Sequence, residues 1–96
     1  MKRSPVLPVG FQNFVMTEQV VAVVSSDSAP MRRLVQSLRN SERLVDATQG
    51  RRTRCLIFLS SGHIVLSALS QEALLRRLSG GAEKLEDMDK VGGDGE

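Results

Sequence analysis

Three guanidinium groups fall within five consecutive positions, Gly50-Arg51-Arg52-Thr53-Arg54. A guanidinium donates two parallel hydrogen bonds from a planar fork and keeps its charge at any physiological pH, which suits phosphate oxygens. The cluster follows a turn-forming glycine and leads into the apolar run Cys55-Leu56-Ile57-Phe58-Leu59. A turn and the start of a strand hold such groups in register, as a flexible tail would not. If the strand is regular, Arg52 and Arg54 share one face and Arg51 takes the other; at the turn end that rule loosens, and Arg51 and Arg52 can both reach the rim. The chemistry this predicts is a clamp on a phosphate backbone. The plain alternative is a solvated hairpin end, with Arg54 paired to Asp46 across the strands. Arg32 and Arg33, side by side on a predicted helix, are further candidates for phosphate contact.

Other chemistry finds little support. His63 is the sole histidine and stands at a hairpin start beside Gly62, where a turn residue bonds locally; a metal ligand needs companions. Cys55 is the sole cysteine, so no disulfide forms within the chain, and its apolar neighbours predict a small buried hydrophobe. No glycine-rich phosphate loop and no catalytic carboxylate pair is present. The chain is expected to be no enzyme, with no cofactor, metal or small-molecule substrate. A reader of single strands stacks bases on aromatic side chains, and this chain offers only Phe11, Phe14 and Phe58, with no Trp or Tyr. Duplex backbone contact is therefore favoured. The predicted helix over 29–40 lacks the second helix of a helix-turn-helix.

The elements that position these groups are legible from periodicity. Phe11 to Thr17 reads as a strand, and Gln19 to Ser25 as a β-branched buried strand. Asp27 or Ser28 caps a helix with Pro30 in its first turn, and Met31, Leu34, Val35 and Leu38 form its apolar face. Leu44 to Thr48 is a short strand, and Gln49-Gly50 a tight turn in which glycine supplies a positive φ. Arg52 to Ser60 and His63 to Leu69 form the next two strands. Ser70 caps a second helix from Gln71 to about Ser79, with Glu72 early and Arg76 and Arg77 late, complementing the helix dipole. The expected fold is α+β: a small, mostly antiparallel sheet with two helices, in the order β-β-α-β-β-β-α. Both helices are expected on one face of a five-stranded sheet. The other face then calls for a second copy of the chain.

Ninety-six residues make one small domain, assigned to residues 1–81. The formal charge of +2 conceals an asymmetry. Residues 1–82 carry eleven Lys and Arg against five acids, a sum of +6, whereas residues 83–96 carry six acids against two lysines, a sum of −4. Residues 82–96 are read as a disordered acidic tail. Lys2 and Arg3 mimic the start of a secretory signal, but Pro5, Pro8, Gly10 and Gln12 interrupt any apolar stretch behind them. No apolar run spans a bilayer. A cytoplasmic location away from membranes is expected.

The stretch Asp46-Ala47-Thr48-Gln49-Gly50-Arg51-Arg52-Thr53-Arg54 is long and specific. With Val9-Gly10-Phe11-Gln12-Asn13, Asp27-Ser28-Ala29-Pro30 and His63-Ile64-Val65-Leu66-Ser67-Ala68, it resembles the RemA family of bacterial regulatory proteins (extracellular matrix regulatory protein A) from about Val9 to Leu78. The resemblance implies a DNA-binding transcriptional regulator whose partners are double-stranded DNA and its own copies, assembled as a closed ring around which DNA bends. The family's DNA-contacting arginine pair falls on Arg51 and Arg52, while a third basic position of the family pattern falls on Gln19. Gln49 stands where the family has an aromatic residue, and Gln12 where glycine is common. The competing expectation is a ring-forming scaffold for a protein partner, in which the arginines are structural.

Overall fold

The computed structural model describes residues 5–79, so the acidic segment 82–96 lies outside the described residues. Strand β1 (Val6–Gly10) turns through Phe11-Gln12 into β2 (Asn13–Met16), forming an antiparallel two-stranded sheet. A 3-10 turn over Thr17–Gln19 leads to β3 (Val20–Ser25), then α1 (Ala29–Ser37), β4 (Leu44–Asp46), β5 (Cys55–Leu59), β6 (Ile64–Ser67) and α2 (Gln71–Leu78). Strands β3 to β6 form one sheet in the order β3-β5-β6-β4, in which only β4 and β6 run parallel. The predicted succession of strands and helices is present, with β1 added ahead of it. Pro8 hides β1 in the sequence, since proline donates no ladder bond. On an outward-facing position of an edge strand that loss is tolerated, while Leu7 and Val9 point inward and are buried.

Both helices begin as their sequences require. The Ser28 hydroxyl accepts from Met31 N at 3.3 Å with Pro30 in the first turn, and the Ser70 hydroxyl accepts from Ala73 N at 3.0 Å. Helix α1 ends at Ser37 rather than near Asn40, because the chain tightens there: Arg39 N donates to Gln36 O and Ser41 N to Leu38 O.

The helices lie on opposite faces of the four-stranded sheet, which corrects the expectation of a single covered face. Side chains alternate along β5, so Leu56 and Phe58 meet Met31, Leu34, Val35 and Leu38 of α1. Cys55 and Ile57 turn the other way, onto Leu7 and Val9 of β1 and Ala73 and Leu74 of α2. The β1–β2 hairpin thus supplies the second layer that a partner copy was expected to provide. Burying each such leucine or isoleucine contributes about 1.5–3 kcal/mol. The Ser67 hydroxyl, itself buried, donates to Val9 O at 2.9 Å and pins the hairpin layer to the sheet. Among the described residues no helix is long and apolar enough to cross a membrane.

Candidate functional site

The arginine segment is mounted on a carrier of short-range hydrogen bonds. At the end of β4 the Asp46 carboxylate accepts from Thr48 N at 2.9 Å and from the Thr48 hydroxyl at 2.6 Å, which ends the strand and starts a turn. Arg51 N then donates to Thr48 O at 3.0 Å across Gln49 (φ 54°) and Gly50 (φ 81°). Two positive φ values at the central positions make this a type I′ turn. Beyond it, Ser26 clamps the segment twice, its hydroxyl donating to Thr53 O at 2.9 Å and its N–H to Arg54 O at 3.1 Å. Arg54 N donates to Ser67 O at 2.8 Å on the other side. The ladder of β5 starts only at Cys55, so Arg52 is not the strand residue that its sequence suggested. One oxygen of Asp46, offered in the sequence as an arginine partner, accepts both bonds from Thr48.

From this carrier the arginines diverge. Arg51 and Arg52 are exposed. Arg51 reaches toward the hairpin layer and sets its guanidinium over the Phe11 ring, 5.4 Å from the centroid. Phe11 (φ 55°) and Gln12 (φ 67°) form the tight turn between β1 and β2. Phe11, Gln12 and Gln49 are the described non-glycine residues with positive φ, and all three belong to the two turns joined by the Arg51–Phe11 contact. Backbone held in this region by bulky residues is costly and clusters at functional positions. Arg52 and Arg54 together line a notch with Ser25, Ser26, Asp27, Ser70 and Gln71. Arg51 thus meets the hairpin, while Arg52 and Arg54 border one notch, in a segment that precedes the strand.

Arg52 also lines a second groove, against α1, with Arg32, Gln36, Arg39 and Asp27. Of the two helix arginines singled out in the sequence, Arg32 borders this groove; Arg33 is exposed but does not. Sequence reasoning passed over Arg39, although its spacing of seven from Arg32 was a usable signal. It also missed Phe11, for which no local signal exists, since it stands 40 positions from Arg51.

The remaining candidates lie away from this surface. Gln19 sits beyond the opposite end of β5, where its backbone carbonyl and side-chain amide oxygen both accept from Ser60. His63 stands at that same end with its ring Nδ1 2.8 Å from the Ser61 hydroxyl. Burial pushes the Cys55 thiol up to about 11, a rise that the neighbouring Arg54 charge partly offsets, so no thiolate is present at neutral pH. Among the described residues no group of three His, Cys, Asp or Glu side chains is placed to hold a metal ion.

Comparison with known proteins gives these features a context. The family model described as "RemA-like: Extracellular matrix regulatory protein A-like" matches residues 6–78. A protein of Oleidesulfovibrio alaskensis is 51% identical over 77 residues, covering 80% of this chain and 92% of its own. One from Dictyoglomus thermophilum is 45% identical over 78 residues, covering 81% and 92% respectively. One from Thermoanaerobacter sp. is 46% identical over 79 residues, 82% of each chain. All three carry the name "Putative regulatory protein", which associates the fold with regulation rather than with a named catalytic activity. With a family match across nearly all of the described residues, this chain belongs to the RemA-like family of regulatory proteins.

Proposed function

We propose that this protein regulates transcription by gripping the phosphate backbone of duplex DNA through Arg51 and Arg52, with Arg54 beside them. The observation that carries the reading is the pair of exposed arginines on a turn whose backbone is bonded on both sides. With the backbone already fixed, meeting phosphate orders only the arginine side chains, so more of each charge-assisted bond appears as affinity. Among the three phenylalanines, Phe58 packs on the α1 side of the sheet and Phe11 carries Arg51 on its ring, which leaves the exposed Phe14 as a lone platform where single strands use several.

Two or three arginines per subunit give weak binding alone, and we propose a homo-oligomeric ring that presents several copies to one duplex. An uncovered sheet face no longer motivates assembly. The support now comes from exposed apolar side chains: Phe14 (60% exposed) and Met16 (45%) on β2, Val21 (68%) on the edge strand β3, and Leu75 (60%) on α2. Light scattering should find a discrete multimer at micromolar concentration; a stable monomer would defeat the ring.

The direct test is the Arg51→Ala/Arg52→Ala protein in a DNA mobility-shift titration at several salt concentrations. Binding should be lost or severely weakened with the oligomer intact. In any residual binding, the slope of log affinity against log salt should flatten by about 0.9 for each phosphate no longer neutralised. A folded double variant with the original affinity and slope would remove these residues from the interface and favour the protein-scaffold reading.

A further inference from the structure

We propose that the DNA-binding surface continues from the arginine loop onto α1, where Arg32 and Arg39 join Arg52 in a second phosphate track that excludes Arg33. The inference rests on the DNA-binding reading and extends its footprint. It follows from helix geometry and the groove lining together.

At about 100° per residue, Arg32 and Gln36 lie roughly 40° apart in one stripe of α1, and Arg39, in the tightened turn two residues past its end, lines the same groove. That stripe borders Val35, at the margin of the apolar face that packs on Leu56, Ile64 and Leu66. Beside this margin runs the groove lined by Arg32, Gln36, Arg39, Arg52 and Thr53. Arg33 is rotated by about 100° from Arg32, away from that margin, and does not border the groove. Two neighbouring arginines of the same helix are thus assigned opposite roles.

Three guanidiniums set against one carboxylate, Asp27, give the groove a formal charge of 3 − 1 = +2. Arg32 in the first half of α1 and Arg39 just past its end border the same groove, so more than one phosphate of a strand can be met along it. Gln36, between them, adds a neutral amide donor to the same stripe. A backbone strand leaving Arg52 would meet Arg32, Gln36 and Arg39 without leaving the groove. Because Arg51 turns instead to the hairpin, the loop sits between two supports and α1 extends the footprint on one side only.

The test compares full-length Arg32→Ala/Arg39→Ala with Arg33→Ala in DNA mobility-shift titrations across salt, alongside Arg51→Ala/Arg52→Ala. Circular dichroism melting and light scattering establish that each variant is folded and assembled. The double helix variant should weaken binding and flatten the salt slope by about 0.9 per phosphate released, while Arg33→Ala leaves both unchanged. Equal behaviour of the two helix variants would overturn the proposal, whether both bind as the original protein does or both lose the same affinity. If the loop variant loses binding while Arg32→Ala/Arg39→Ala does not, the extension alone fails. If the loop variant too binds as before, the DNA-binding reading itself fails.

Discussion

Replacing Gly50 with alanine should cost both stability and DNA affinity, whereas the same change at Gly62 should cost stability alone. Both glycines have positive φ, 81° and 95°, and a Cβ added to either meets nothing within 4 Å. The cost is therefore conformational: about 1–2 kcal/mol for an L-residue in left-handed backbone, offset by about 0.4–1 kcal/mol because alanine also restricts the unfolded chain. A net loss of roughly 1 kcal/mol lowers the melting temperature of a domain this size by about 4–8 °C. The two positions differ in what they carry. Gly50 lies in the turn that sets Arg51 and Arg52, while Gly62 lies in the β5–β6 turn, the whole length of β5 away. If the turn of the Gly50→Ala protein relaxes when free, binding must restore the strained form. Affinity then falls by up to about tenfold per engaged subunit, since 1.4 kcal/mol is a factor of ten. Thermal melts and DNA titrations at 25 °C, where both variants remain folded, separate the two effects. A Gly50→Ala protein that melts and binds as the original does would refute the view that this turn holds the arginines. Equal loss of affinity in Gly62→Ala would show a global effect instead.

The Arg51–Phe11 contact should be worth about 0.5–1 kcal/mol, as for an exposed cation–π pair. Phe11→Leu should then weaken DNA binding about two- to five-fold in the original background and leave Arg51→Ala unaffected; equal losses in both backgrounds would show that the ring acts without Arg51. For Cys55 the folded pKa of about 11 lies above the ordinary 9.0, so the native state keeps a proton that the unfolded state loses. That contribution is fully present below pH 9 and lost as pH rises through 11, so urea midpoints should fall between pH 9 and 11, and less steeply in Cys55→Ala. Identical pH profiles for the two proteins would exclude the thiol as the cause.

Local order was written plainly in the sequence. The Ser28 cap, Pro30 and the Met31-Leu34-Val35-Leu38 stripe determine α1, and Gln49-Gly50 determines the turn ahead of the arginines, because caps, periodicity and φ preferences act over a few residues. The apolar character of both β5 faces was equally legible, but not what covers each face. A strand pattern records that a face is buried without naming its neighbour, so the hairpin layer came only from the fold. Pro8 masked β1, since proline's cost depends on whether the strand lies at an edge, which is a tertiary fact. The cluster Arg51-Arg52-Arg54 announced itself through charge. Its separation into a guanidinium over Phe11 and two lining the Ser26–Ser70 notch did not, nor did the choice of Arg39 over Arg33. Arg39 and Arg52 are 13 positions apart and Phe11 and Arg51 are 40 apart, so only chain closure brings them together.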